Sequence, residues 1–301
     1  MSEGPPWYVR DHTGEVQILG VPERLRNHPD LQRRGLVPVD PLKLGFVYAT
    51  SHRQRPQYVI KILDPDTQEL AAYERLLRLD PASPNHTLPC EISELGHPLL
   101  IMPYLTSVYS IYGGRIWTLY QLLGIFLQIV EVCGVEFLHR HHIAHMDLCI
   151  DNVLGASAAN ARDHKRVEFG KVYIIDFGSS MTFQRGPGEQ SAVALPPTQV
   201  RPPNGVKSFD PYSWDVYCIA HILKAVLEVQ GEEDTKWIAH RYVRWLIGNE
   251  RECSRTCRCR PTARKARRVL ALIRAFVYIA DVCVRSARLA RQVLRTFIPM
   301  L

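Results

Sequence analysis

The chain lacks an uncharged apolar run long enough to cross a bilayer, which takes about 18 residues. Its nearest candidate, residues 269–284, spans 16 residues and carries Arg274 and Asp281, so it predicts a buried helix instead. Residues 1–11 lack an apolar segment too, being polar and proline-rich, and no secretory signal is expected there. The expectation is an intracellular protein, cytoplasmic or nuclear, with reduced thiols. No usual zinc pattern is present. Cys253, Cys257 and Cys259 are spaced C-x3-C-x-C, and no nearby histidine completes a ligand set. Cys90, Cys133, Cys218 and Cys283 read as small core hydrophobes. Internal repeats are absent.

Acidic residues are scarce in one place only. Residues 251–301 hold 13 Arg and Lys against Glu252 and Asp281, whereas residues 1–250 hold 24 basic and 28 acidic groups. The net charge of +7 therefore comes from the C-terminal end. Arg285, Arg288, Arg291 and Arg295 fall at helical spacing, with Val284, Leu289, Val293, Leu294 and Phe297 opposite. Packing of this helix on the body is the plainer reading. An acidic partner or anionic lipid is the sharper one. Nothing points directly to nucleic acid.

With 46% apolar and 22% charged residues, the 301-residue chain can bury one large core or build two lobes. Residues 1–35 are rich in Pro and Gly and predict an irregular N-terminal extension. Residues 44–50 and 58–63 are apolar, β-branched runs around a polar turn, which is a hairpin signal. Residues 67–79 set Leu70, Tyr73, Leu76 and Leu77 at helical spacing, with Asp66 or Thr67 as cap. Ile92 and residues 99–105 predict two more strands. Residues 36–105 thus read as a small β-rich lobe with one helix, and residues 106–273 as a mostly helical lobe. Within the second, residues 117–138 and 214–229 are apolar nearly all round, as buried helices are. Short strands at 153–154 and 172–175 flank a polar hairpin loop, and residues 186–205 are irregular. Residues 274–301 predict a basic helical extension. The expected fold class is α+β, a β-rich N-lobe and a mostly helical C-lobe.

Chemistry concentrates in His145-Met146-Asp147-Leu148-Cys149-Ile150-Asp151-Asn152 and, further on, Asp176-Phe177-Gly178. One aspartate precedes an asparagine by five residues, and a second aspartate precedes Phe-Gly. Magnesium-assisted phosphoryl transfer needs this set: a carboxylate to receive a hydroxyl proton, and an amide and a carboxylate to hold the metal. A single Asp or Asn would read as a loop cap. Three at these positions favour the site.

From about residue 36 to about residue 273 the chain resembles the eukaryotic protein kinase fold. The run Phe137-Leu138-His139-Arg140-His141-His142-Ile143-Ala144-His145-Met146-Asp147-Leu148 resembles that family's catalytic-loop junction. Tyr58-Val59-Ile60-Lys61-Ile62-Leu63 resembles its Val-Ala-Ile-Lys strand, and Asp215-Val216-Tyr217 its large buried helix, whose aspartate braces the catalytic loop. Arg260-Pro261-Thr262-Ala263 resembles the start of its last helix. The wording around Phe209-Asp210-Pro211-Tyr212 is similar to kinase-like proteins abundant in mushroom-forming fungi. The resemblance implies ATP and Mg²⁺ as cofactors. Lys61 would hold the α- and β-phosphates, Asp147 would take the substrate proton, and Asn152 and Asp176 would bind the metal. Phe177 and His145 would pack behind the site. Glu69 and Glu74 compete as the partner of Lys61; the Ser83-Pro84-Asn85-His86 turn sets a register that selects Glu74. Ile101-Met102-Pro103-Tyr104-Leu105 resembles the adenine-binding hinge, with Met102 lining the pocket, Pro103 offering its carbonyl and Leu105 its N–H.

The pattern also departs from that family. Of its glycine-rich phosphate cover only Gly45 is present. Met146 replaces the arginine that reads a phosphorylated activation loop, which predicts activity without phosphorylation of Ser179, Ser180, Thr182, Ser191 or Thr198. Cys149 replaces a charge-neutralising lysine, for which Arg185 is a candidate substitute. Cys149 itself reads as a passive small residue, with an oxidation-sensitive thiol as the sharper alternative. Pro202-Pro203-Asn204 stands where Ala-Pro-Glu is expected, so Arg260 loses its usual glutamate. The first reading is a protein Ser/Thr kinase with a protein substrate. The alternatives are a pseudokinase scaffold and a small-molecule kinase.

Overall fold

The computed structural model describes residues 4–79, 85–132, 135–203, 205–230, 236–248 and 256–297, the last without the side chains of residues 290 and 292–297. It is an α+β structure with a sheet-rich N-terminal part and a helical C-terminal part. The N-terminal part begins with short helices α1 (Glu23–Arg26) and α2 (Pro29–Arg34). Five antiparallel strands follow: β1 (Pro38–Lys43), β2 (Val47–Thr50), β3 (Tyr58–Ile62), β4 (Glu91–Ile92) and β5 (Leu99–Pro103), in the order β1-β2-β3-β5-β4. Helix α3 (Glu69–Leu77) lies between β3 and β4 in sequence.

From residue 4 to 22 the extension is irregular, as expected, but it is folded onto the sheet and ends in α1 and α2. Trp7, Val21, Leu25, Leu31 and Leu36 form a core with Tyr48, Ile60, Ile62, Leu99 and Ile101. Successive strand side chains point to opposite faces. Ile60 and Ile62 therefore meet the extension, while Val59 and Lys61 line a cleft.

In the C-terminal part, Thr118 and Gln121 form a capping box that starts α4 (Leu119–Leu127). The chain continues through a π turn, Gln128–Val132, and then α5 (Val135–Arg140). Among the described residues this stretch, Leu119–Arg140, is the one helix long and apolar enough to cross a membrane. It comes closer to a span than residues 269–284, the expected nearest candidate, although it is not an uncharged run. Glu131 and Glu136 within it pair with Arg267 at 2.7 and 2.6 Å, and 73% of the apolar window is buried, which suits a core helix.

Short strands β6 (Thr106–Ser107), β8 (Val153–Gly155) and β9 (Val172–Ile174) make one sheet. β7 (Ile143–Ala144) pairs with β10 (Met181–Thr182), and β11 (Val193–Ala194) with β12 (Ser208–Phe209). The expected loop between β8 and β9 contains a helix, α6 (Ala158–Asp163), started by a Ser157–Asn160 capping box. Helix α7 (Pro211–Gln230) buries 15 of its 20 residues, as its all-round apolarity requires. It packs on α8 (Trp237–Ile247), which buries only the stripe Ala239, Tyr242, Val243 and Leu246.

Helix α9 (Ala263–Phe297) packs on α4 through buried Ala266 and Leu270 and half-buried Ile273 and Val277. The packing expected of the distal helix fails: Val284 is 48% and Leu289 64% exposed. The side chains of Val293, Leu294, Arg295 and Phe297 lie outside the described residues. Cys90 and Cys218 are core residues, Cys283 is exposed, and Cys133 and Cys253 lie outside the described residues.

Candidate functional site

Three segments converge on Lys61. Its Nζ donates to Glu69 Oε1 at 2.6 Å and to Asp176 Oδ1 at 2.8 Å. This corrects the choice of Glu74. Glu69 opens α3, and only a short loop separates Lys61 from that first turn. Glu74, five residues on, sits roughly 140° around the helix. It is exposed and pairs with Arg78 at 3.3 Å. Of the turn used to set the register, Ser83 and Pro84 lie outside the described residues.

The cluster is nearly dry, with the Lys61 side chain 11% and the Glu69 side chain 4% exposed. Burial works against the Lys61 charge, but Glu69 and Asp176 outweigh it and raise the lysine's pKa. Burial raises the Glu69 pKa despite the attraction of Lys61. Asp176 is opposed by burial as well, yet Lys61 holds its carboxyl below the usual range. Gly178 permits the close approach: a Cβ there would stand 3.3 Å from Asp176 Oδ1 and 3.7 Å from Glu69 Oε2.

Asp176 has a left-handed backbone, φ 65°, which costs energy and needs support. Tyr73 of α3 accepts its N–H at 3.3 Å. Phe177 follows, buried edge-on against Tyr73 at 5.1 Å and against His145 at 5.0 Å. The packing expected of Phe177 and His145 is what the structure has.

The loop that carries Asp147 and Asn152 hangs from Asp215 of α7, which is fully buried. Its carboxylate accepts the N–H groups of His145 and Met146, each at 2.9 Å, and is hydrogen-bonded to His139 Nε2 at 2.9 Å. Met146 is also left-handed, φ 67°, and the Trp214 indole N–H donates to its carbonyl at 2.9 Å. This places Asp147 and Asn152 on a braced loop, where Asn152 Nδ2 donates to the Asp147 carbonyl at 2.9 Å. One Asp147 carboxylate oxygen accepts the backbone N–H of Gln199 at 2.9 Å.

Lys61, Asp176 and Asn152 line one cleft of about 460 Å³ with Met102, Pro103 and Leu105. Val47, Val59, Leu88, Leu154 and Ile175 make its apolar walls. The connecting segment is fixed by Tyr104, whose N–H donates to Gln57 O at 3.0 Å and whose carbonyl accepts from Asn160 Nδ2 at 2.9 Å. A larger cavity, about 670 Å³, lies between α2, the β2–β3 turn and the end of α6. Of the expected site residues it holds Pro103 alone.

Gly45 is a second correction. It does not line the cleft: its carbonyl accepts the Trp7 N–H at 3.0 Å, and a Cβ on it would meet Pro6 at 2.8 Å. Lys43, on the same hairpin, does line the cleft, and its charge acts on both Glu69 and Asp176. Sequence reasoning missed Lys43; its signal was a cation beside the one surviving glycine.

Arg185, the expected substitute cation, is not among the cleft's lining residues; its carbonyl accepts the Tyr212 hydroxyl at 2.8 Å. Cys149 is buried, and burial pushes its thiol up to about 11, which suits the passive reading. Arg260, expected to lack its usual glutamate, stacks over Phe209 at 4.8 Å and Tyr217 at 4.9 Å, a cation–π seat. No protein-family model matches the chain, and a search of curated proteins finds no match.

Proposed function

We propose that the chain is a phosphotransferase using ATP and Mg²⁺, on a two-lobed protein-kinase-like fold, with a protein Ser or Thr hydroxyl as acceptor. One observation carries this reading. Lys61, Glu69 and Asp176, from three separate segments, meet within hydrogen-bond distance in the cleft that Asn152 also lines. A buried lysine kept charged by two carboxylates is suited to phosphate oxygens. The apolar walls suit a flat base beside Met102 and Leu105. Asp147 would orient the acceptor hydroxyl and take its proton.

The donor set fits magnesium. Asp176 offers a carboxylate and Asn152 an amide oxygen, its Nδ2 being engaged by Asp147. Both are hard oxygen ligands, and Mg²⁺ characteristically binds one or two such groups plus substrate phosphates. When bound, Mg²⁺ neutralises charge developing on the phosphate oxygens. Among the described residues no cluster of three His, Cys, Asp or Glu suits a resident metal.

A nucleotide-binding scaffold without transfer is the second reading. It is favoured by the Gln199 N–H seated on the Asp147 carboxylate and by the hairpin tied down at Gly45. Transfer of labelled phosphate from Mg-ATP to a generic protein tests the two. The enzyme reading predicts transfer by the wild type and a loss on the order of a hundredfold or more in Asp147→Asn. Thermal stabilisation by Mg-ATP without any transfer would replace it with the scaffold.

A further inference from the structure

We propose that the outward face of α9, from Leu272 to Leu289, docks the protein on an anionic lipid surface. The proposal is independent of the phosphotransfer reading. Ala266, Leu270, Ile273 and Val277 hold the helix to the body along one sector. At 100° per residue, Leu272, Phe276, Ile279, Val282 and Leu289 fall on the opposite side, within an arc of roughly 140°. These side chains are 71%, 66%, 60%, 42% and 64% exposed. Such an apolar stripe on a soluble surface marks an interaction site. The body lies behind the helix as far as Val277, and the described side chains beyond it are exposed all round, so a plane can meet the stripe.

Charge selects the plane. Arg285 stands roughly 40° beyond one edge of the stripe, and Arg288 and Arg291 are exposed on the far side of the helix, so the stripe is the apolar face of an amphipathic helix. Arg264, Lys265 and Arg268 are exposed at its N-terminal end. Asp281 is the acid among them, and it is paired with Arg285 at 2.8 Å. Apolar residues on one face, basic residues at its end and arginines on the polar face are the features that seat a helix in a headgroup layer. An aromatic margin fits as well: Tyr278 packs on Tyr120 at 5.7 Å, and both are partly exposed. A second copy packed on the stripe would bring Arg264, Lys265 and Arg268 of both helices into the seam or leave them unused, and a lone convex helix offers a peptide no groove.

The test is co-sedimentation of the full chain with vesicles of phosphatidylcholine alone or with roughly 30% phosphatidylserine. Binding is expected to the anionic vesicles only and to weaken with salt. Phe276→Glu/Ile279→Glu, at exposed positions, should cut binding at least about tenfold with an unchanged thermal midpoint. Arg264→Glu/Arg268→Glu, exposed on the same arc as the stripe, should cut it by about fivefold per arginine or more. No binding to anionic vesicles, or equal binding to neutral ones, would overturn the proposal. So would a concentration-dependent dimer dissolved by Phe276→Glu/Ile279→Glu, or binding to polyglutamate in place of vesicles.

Discussion

On the helical side of the cleft, Asp147 and Asn152 sit on a loop whose backbone is tied to buried Asp215. On the sheet side, Lys43 and Gly45 sit on a hairpin tied to the N-terminal extension. The first support is ionic and fully buried, and the groups it holds are those phosphoryl transfer requires. The second is one backbone hydrogen bond and apolar packing near the surface, and there the expected glycines are replaced. A buried carboxylate with three hydrogen bonds tolerates no change, because every orphaned donor costs free energy. An exposed hairpin can exchange backbone donors for a side-chain cation.

The comparison breaks first at Asp215. Asp215→Ala leaves two backbone N–H groups and His139 without their acceptor, and is expected to cost about 3–5 kcal/mol. Urea unfolding measures it; a loss below about 1 kcal/mol would remove the brace. Next comes the Lys61 partner. Glu69→Gln is expected to lower phosphotransfer on the order of a hundredfold by misplacing Lys61. Glu74→Gln should stay within about twofold, since its Arg78 contact is exposed. Equal effects in the same assay would restore the register that selected Glu74.

A third test addresses the strap that joins the two sides. His86 Nδ1–H donates to Val172 O at 2.6 Å, and residues 86 and 88 bond Ile174 on the strand leading to Asp176. Burial, with the Lys171 charge adding, pushes the imidazole down to about 3. An unfolded histidine takes its proton near 6.5. Between those values the unfolded chain binds more protons, so stability falls as pH drops, by about 2 kcal/mol from pH 7 to 5. His97, His141 and His164, also held down by burial, act in the same direction. Denaturant melts at both pH values should show the loss, and His86→Gln should flatten it; a slope unchanged by the substitution would clear His86. The smallest effect is at the hairpin. Lys43→Ala should weaken ATP binding by about fivefold and leave adenosine binding unchanged, as titration calorimetry would show. Equal losses for both ligands would make Lys43 a packing residue.

The helical side was the more legible in sequence because its groups share two short loops, where spacing alone brings them together. Lys61 was legible from an apolar strand of alternating faces. Glu69 was misjudged because two glutamates on one helix differ only in their turn, and the loop to α3 decides which turn reaches Lys61. The extension read as irregular because helices of four and six residues carry too little periodicity, and only the sheet behind them gives Trp7 and Leu25 a core. Helix α8 escaped notice because its buried stripe is narrow and interrupted by Arg241 and Arg244. On α9, an apolar period predicted packing, but among the described residues no second element covers Phe276 or Ile279. Periodicity reports that a face is apolar, not what meets it.

The most direct test of the central claim is calorimetric titration of ATP, with and without Mg²⁺, into the wild type and Asp176→Ala. The account predicts binding that strengthens with Mg²⁺ in the wild type and loses that dependence in the variant. No ATP binding by the folded wild type, or the same magnesium dependence in both proteins, would contradict it.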